Sequence, residues 1–472
     1  MKGYSIMINS ISVIRPNDYI PLKLEYLDVL DWYSLPWIKI EKFVFNFQKQ
    51  IYRFSIDNDT NNIHALQVLL SQSYEIKLLA VKKAIENKRK NKVIFNRLNS
   101  FNSKQKLELA HNLGLQFSLD NTEFDNGSGF NLIKQEATDI IIYLCLQPEW
   151  EAKFELNNYS FSLIIPIKKV IANIIIKLKN YEDNNTDIYL LSGLIEGSFF
   201  SLNKHYLFKI LSTIPVFEMY IQTILKNQFD SPNLFDKIDF SSSQSSCNNL
   251  LELLSHIILF NFELSIVSTL IKQVDNNILS LKIIRFKNNF VVVSNSLKIL
   301  QNTIYQCLKF LDEAGLSYNW KKTKLFTNQQ QFHFLGFSIK SDILITYNRI
   351  HRCLIVQPTK EEKKLILAKI RYILRNRHKN GKTRARTNMP LSKAISLINP
   401  LVVNWRGYYM DFIPKSILIK MDWLLNEKIY RWYIKRLKKN RVNHWNNNCI
   451  QFVNGRRRIC SDNYTLELFT HI

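Results

Sequence analysis

Apolar residues recur at positions 66, 69, 70, 74, 78, 81 and 85 of the stretch LQVLLSQSYEIKLLAVKKAI. That period puts them on one face and predicts a single amphipathic helix from Leu66 to Ile85, of about five turns. Between residues 86 and 130 the pattern fades. The chain turns basic at Asn87-Lys88-Arg89-Lys90 and polar at Asp125-Asn126-Gly127-Ser128-Gly129, which reads as a linker or long loop. Residues 139 to 300 mix helical and strand periods without a repeat, as an α+β core does. Within them, Ile283-Ile284-Arg285-Phe286 and Phe290-Val291-Val292-Val293 flank Lys287-Asn288-Asn289, the pattern of two strands around a tight turn. Asparagine tolerates the left-handed backbone such turns need, so the tip has an ordinary local explanation. Farther on, Pro358 to Arg375 starts with Pro and an acidic turn, then mixes Leu365, Ile366, Ile370 and Ile373 with Lys369, Arg371 and Arg375. This predicts a helix with a cationic face. A polar basic loop (NRHKNGKTRARTNMP) follows, then two more helical patterns, Leu391 to Tyr409 and Ile417 to Leu437.

Charge adds a second boundary. The formal net charge is +25, and residues 321 to 472 hold 31 of the 64 Lys and Arg but only 8 of the 39 Asp and Glu. A nearly neutral body joined to a strongly basic module suggests a polyanionic partner, because each neutralised phosphate releases counterions. Nucleic acid is favoured over an anionic membrane surface. No stretch approaches the roughly 20 uninterrupted apolar residues of a membrane-spanning helix. The N-terminus lacks both a signal core and a transit-peptide composition, so the protein is expected to work where it is made. The six cysteines are scattered without a CxxC pair, which signals neither a zinc site nor a disulfide framework. Glycine is scarce, at 11 of 472, and no GxGxxG or P-loop is present. The weight on Asn, Ile, Lys, Phe and Tyr matches AT-rich codons and suggests an organellar genome.

Four blocks carry a resemblance. QPEWEAKFELNNYSF (147–161) looks like a block in which PEWEAKFE precedes Asn-Ser-Tyr-Gly-Phe. WIKIEKFVFNFQKQIYRF (37–54), with the 66–85 stretch, is similar to a paired Gln-rich N-terminal extension. Lys321-Lys322-Thr323-Lys324 with Phe334-Leu335-Gly336-Phe337 resembles the stretch that closes a polymerase palm. LSKAISLINPLVVNWRGYYM (391–410) is similar to the heart of a maturase domain. In this order they resemble the reverse transcriptase/maturase proteins encoded by group II introns, and within that family the reduced maturase-like proteins of euglenoid plastids.

The resemblance implies a right-hand polymerase fold whose chemistry needs carboxylates, since two divalent cations about 4 Å apart bridge the attacking and leaving oxygens. Where the family hairpin reads Tyr-Ala-Asp-Asp-Phe, this chain has Phe286-Lys287-Asn288-Asn289-Phe290. The stretch LIEGSFF (194–200) puts Leu194 in place of the third carboxylate and Phe200 in place of a later aspartate. The family's Pro-Gln-Gly-Gly block looks like Ser243-Gln244-Ser245-Ser246, and the Gly129 to Gln135 region shows no triphosphate cradle. A neutral amide lacks the carboxylate's charge, and leucine ligates no metal. The expectation is a protein with no catalytic residues, no bound metal and no DNA synthesis, Leu194, Asn288 and Asn289 occupying the aspartate positions.

What the resemblance retains is the grip on RNA. The expected contact residues are Arg371, Arg375, Arg377, Lys379, Lys382, Arg384 and Arg386, then Trp405, Arg406 and Tyr408, then Lys435, Arg436, Lys438, Lys439 and Arg441. Their density on one segment sets them apart from a merely solvated face. Trp405, Tyr408, Tyr409, Trp432 and Trp445 either stack on unpaired bases or pack the helices. No nuclease module is expected after Trp445. The fold class is α+β, a degenerate fingers and palm followed by a basic helical thumb. The expected units are an N-terminal helical extension (1–97), a degenerate reverse-transcriptase region (98–346), a basic thumb and maturase domain (347–446) and a basic tail (447–472). The function so implied is assistance to organellar intron splicing by binding intron RNA or another structured RNA, with magnesium carried by the RNA. Plastid is the expected setting and mitochondrion the alternative. A ribosome- or mRNA-associated RNA-binding protein and an active reverse transcriptase are the rival readings. The sequence leaves the oligomeric state unread.

Overall fold

A computed structural model describes residues 31–89, 102–114, 129–156, 167–183, 188–197, 201–227, 249–273, 281–321, 323–327, 330–346, 349–377, 383–436, 441–453 and 455–470. Helices α1 (Trp37–Ile56), α2 (Thr60–Gln72) and α3 (Tyr74–Arg89) gather around the long α5 (Gly129–Leu156), and α4 (Ser103–His111) packs on α3. The PEWEAKFE block is the end of α5, and its residues are packing residues. Trp150 is buried against Phe154 and Phe260. Buried Glu149 accepts from Gln67 at 2.7 Å and pairs with Lys153 at 2.6 Å, while its carbonyl accepts from Ser55 at 2.9 Å.

Beyond α6 (Ile167–Asp183) come β1 (Tyr189–Glu196), α7 (Lys204–Leu211), α8 (Pro215–Asn227), α9 (Asn249–Ile258), α10 (Phe262–Gln273), β2 (Lys282–Phe286), β3 (Asn289–Ser294), α11 (Leu297–Ala314), β4 (Ser317–Tyr318) and β5 (Lys324–Thr327). The strands form one antiparallel sheet, β2-β3-β1, with β4 and β5 sharing the far side of β1. Both faces are covered. Because side chains alternate along a strand, Leu191, Ile195, Ile283, Phe290 and Val292 enter a core shared with α1 to α5 and α7 to α11, whereas Leu190, Ile284, Val291 and Val293 enter a second core with α6 and the C-terminal half. Gly193, the cross-strand partner of Phe290, admits that ring: a Cβ there would lie 2.4 Å from it.

The C-terminal half continues with β6 (Phe332–Phe334), β7 (Phe337–Thr346) and β8 (Arg349–Pro358), then α12 (Lys360–Leu374), the ribbon β9 (Arg375–Arg377) and β10 (Thr383–Ala385), α13 (Leu391–Tyr409), α14 (Lys415–Tyr433), α15 (Arg441–Asn448), and β11 (Ile450–Val453), β12 (Arg456–Ser461) and β13 (Tyr464–Thr465). Leu335 (φ 48°) and Gly336 (φ 76°) make the two-residue turn between β6 and β7. The tyrosines of α13 clasp that turn, Tyr408 Oη donating to the Leu335 carbonyl at 2.9 Å.

The α+β class holds, and α13 has the bounds its pattern predicts. Several expectations need correction. The helix predicted from Leu66 to Ile85 is broken at Ser73, where ψ is 145°. Ser71 and Ser73 turn their hydroxyls back onto the carbonyls of Val68 and Leu70, competing with the helical ladder. The linker expected over 86–130 contains α4, which Asn102 and Gln105 open with a capping box and Leu107, Leu109 and Ala110 anchor in the core. Part of the basic loop after α12 is the β9–β10 ribbon, and the tail folds as a small sheet with Ile459, Leu466 and Phe469 in the second core. The stretch Asn249–Ile271 is long and apolar enough to cross a membrane, against expectation, and that window is 67% buried in the structure. It is two helices rather than one, parted by a turn in which Asn261 has a φ of 65°.

Candidate functional site

The turn between β2 and β3 consists of Lys287 and Asn288, since Phe286 pairs with Asn289. The left-handed conformation falls on Lys287 (φ 54°), not on an asparagine. A lysine tolerates it there because both its ends are held. Its ammonium meets Glu252 of α9 at 2.7 Å, and its carbonyl accepts from Arg285 at 3.2 Å. Arg285 is itself buried, bonded to Glu263 at 2.6 Å and to the Leu259 carbonyl at 3.1 Å.

The asparagines tie the tip to β1. Asn288 Nδ2 donates to the Ile195 carbonyl at 3.1 Å, Ile195 N donates to the Asn288 carbonyl at 2.8 Å, and Asn289 Nδ2 reaches Asn288 Oδ1 at 3.1 Å. Leu194 lies across the ladder from Asn289. The structure thus brings Leu194, Asn288 and Asn289 together, and Asn288 acts as a donor, which a carboxylate cannot do. The surrounding acids have partners: Glu252 and Glu263 are ion-paired, and Glu196 accepts from Asn319. The neighbouring His256, 4.0 Å away, and the Lys287 ammonium hold the Glu252 carboxyl down at about 2, while burial pushes His256 below its ordinary value. Among the described residues no three His, Cys, Asp or Glu side chains stand close enough to hold a metal ion. Phe200 and Ser243 to Ser246 lie outside the described residues, and Gly129 to Gln135 is the start of α5.

The expected contact residues sort into three groups. Arg371 and Arg375, at the end of α12, and Lys435, just past α14, line one groove of about 510 Å³. Arg384 is exposed on β10, and Arg386 lies over the exposed ring of Tyr372 at 6.0 Å. Arg377 falls in β9, Arg436 in the 3-10 turn after α14, and Arg441 opens α15, whereas Lys379, Lys382, Lys438 and Lys439 lie outside the described residues. The third group corrects the expected contact surface. Trp405 is 8% exposed and packs on Tyr409 and Phe469, Arg406 is bound to Glu467 at 2.9 Å and to the Leu468 carbonyl at 2.8 Å, and Tyr408 stacks on Phe337. Trp432 and Trp445 are buried too. Trp405, Trp432 and Trp445 are thus committed to the core, whereas Arg406 and Tyr408 are half-buried and already partnered.

The same groove contains residues the sequence did not single out. Trp423, Lys428 and Arg431 of α14 complete its walls. Burial, with Arg371, Arg431 and Arg375 nearby, pushes the Lys428 ammonium below the usual lysine value. Glu427, the one acid among the described residues of this lining, is paired with Arg431. The signal was present in helical spacing: α14 buries Leu418, Met421, Leu425, Ile429 and Trp432, and Trp423 falls off that stripe.

Three family models match the chain in order. They are the N-terminal domain of reverse transcriptase over residues 32–113, reverse transcriptase (RNA-dependent DNA polymerase) over 141–339, and the group II intron maturase-specific domain over 363–449. Maturase-like protein 1 of Euglena gracilis is 23% identical over 398 residues, covering 82% of this chain and 79% of that protein. Among solved structures, telomerase from Candida albicans in complex with a TWJ fragment of telomeric RNA aligns with a TM-score of 0.26 and 11% identity over 61% of this chain. The chain spans 50% of that telomerase chain. The sheet and its hairpin lie within the reverse-transcriptase match, and the basic groove lies within the maturase match. This is a chain of the reverse transcriptase/maturase class. It belongs to the group II intron maturase-like proteins.

Proposed function

We propose that this protein binds intron RNA and assists its splicing without itself catalysing a reaction, its polymerase region serving as scaffold. The observation that carries the reading is the meeting of Leu194, Asn288 and Asn289 at the hairpin tip, with amide donors and an apolar side chain where metal-dependent phosphoryl transfer needs anionic oxygens. In this reading β1 to β5 are a degenerate palm and the C-terminal helices a thumb and maturase domain. The groove between α12 and α14 supports it, because five cations converge there around one acid that is already paired. Magnesium is held by the RNA, and the protein favours the RNA's active fold by neutralising phosphates. An organellar home, plastid before mitochondrion, is supported by the AT-rich composition and the Euglena relative. Crosslinking the protein in its own organelle and sequencing the bound RNA tests the assignment. Unspliced intron RNA is the expected yield, and ribosomal or messenger RNA alone would replace it with a ribosome- or mRNA-associated role.

A further inference from the structure

Trp423 is 62% exposed, although it stands in the middle of a packed helix. It forms part of the wall of two hollows. One is the groove of about 510 Å³ that holds Arg371, Arg375, Lys428, Arg431 and Lys435. The other, of about 220 Å³, lies toward the C-terminal sheet and holds Arg457 and Arg458. Among the described residues Glu427 is the only acid in either lining, and Arg431 neutralises it. In the second hollow, Arg458 Nε is buried without a hydrogen-bond partner. An unsatisfied buried donor is costly unless an acceptor arrives.

We propose that Trp423 is a stacking platform for an unpaired RNA base and that the two hollows take the phosphates on either side of it, so that this face binds a single-stranded RNA segment. The inference rests on the RNA-binding reading above and goes beyond it by naming the strandedness of the ligand and the residue that reads it. An indole offers a flat apolar face that suits any base, whereas a phosphate needs cations, and here the two alternate along one surface. A duplex keeps its base faces stacked inside, so it can use the cations but not the ring. Arg371, Arg375, Lys428, Arg431 and Lys435 share the wall of one groove, and a bridging phosphate would relieve their mutual repulsion.

The test uses the full-length protein, a fluorescein-labelled oligouridine of about 12 nucleotides and a blunt RNA duplex of the same length, with anisotropy read at one fixed salt concentration. Trp423→Ala is expected to weaken oligouridine binding by about 10-fold or more while changing duplex binding less than about 2-fold, and Trp423→Phe to keep most of the affinity. A 4-thiouridine version of the oligomer is expected to crosslink to the peptide that contains residue 423. If Trp423→Ala binds both RNAs as the unaltered protein does, or loses both equally, the stacking site is refuted and RNA binding stands. If the unaltered protein binds neither RNA, the functional reading fails and this inference with it. Since Trp423 is exposed, an unchanged thermal midpoint shows that the variant remains folded.

Discussion

Leu194 and Asn289 are Cα partners across the β1–β3 ladder, and the Asn288 side chain closes the same corner by donating to the Ile195 carbonyl. An apolar residue and two amides therefore meet where three carboxylates would repel one another unless a cation lay between them. Replacing all three with Asp (Leu194→Asp, Asn288→Asp, Asn289→Asp) removes the Asn288 donor and sets like charges opposite each other. The expected cost is about 1–2 kcal/mol in EDTA. Thermal midpoints of the triple variant should fall by several degrees, and magnesium should recover part of the loss. The unaltered protein should melt at the same temperature with and without magnesium, and a magnesium-dependent midpoint would speak against this account.

Tyr408 belongs to the sequence motif that suggests RNA contact, yet its hydroxyl clasps the β6–β7 turn. Tyr408→Phe should cost about 1 kcal/mol of stability, the worth of one hydrogen bond, and leave RNA affinity unchanged. Urea unfolding together with anisotropy checks both halves. A drop in affinity without a drop in stability would return Tyr408 to the contact surface.

Acid should loosen the hairpin. The Glu252 carboxyl is held at about 2, first by His256 beside it and then by Lys287, and burial pushes His256 below the ordinary histidine value. Both groups bind fewer protons in the folded state than in the unfolded chain. Stability is therefore complete at neutral pH, begins to fall below the ordinary histidine value, and falls further from about 4.5 toward 2 as Glu252 titrates. Urea midpoints measured from pH 7 to pH 3 should show that decline. Glu252→Gln should start lower, because Lys287 loses its partner, and should decline less below about 4.5. Parallel curves for the two proteins would remove Glu252 from the explanation.

The groove predicts a salt effect. If Arg371, Arg375 and Lys428 each neutralise a phosphate, changing one of them to Gln should weaken RNA binding at every sequence tested. The slope of log affinity against log salt should become shallower by roughly one. An unchanged slope would place these cations outside the interface.

The sequence made some of this readable, and the reasons are physical. Helix α13 and the hairpin strands follow their own periodicity closely, so local pattern and final fold agree. The break at Ser73 is not visible in apolar spacing, which runs straight through it, because it arises from hydroxyls competing for backbone carbonyls. Helix α4 is short and polar, held by a cap and three buried residues, a weak signal beside the basic stretch before it. At the site, the family motif singles out Leu194, Asn288 and Asn289, which the structure brings together at the hairpin tip. A residue's type does not say which way it faces, and the structure turns Trp405 into the core while Arg406 and Tyr408 take intramolecular partners. Trp423 was passed over although its place off the buried stripe of α14 marks it as outward-facing.

Primer extension with purified protein tests the central claim most directly. Given a primed RNA template that it binds, deoxynucleotides and magnesium, the protein should leave the primer unextended while the template remains bound. Extension of the primer would show that this hairpin corner still supports nucleotide transfer and would contradict the account.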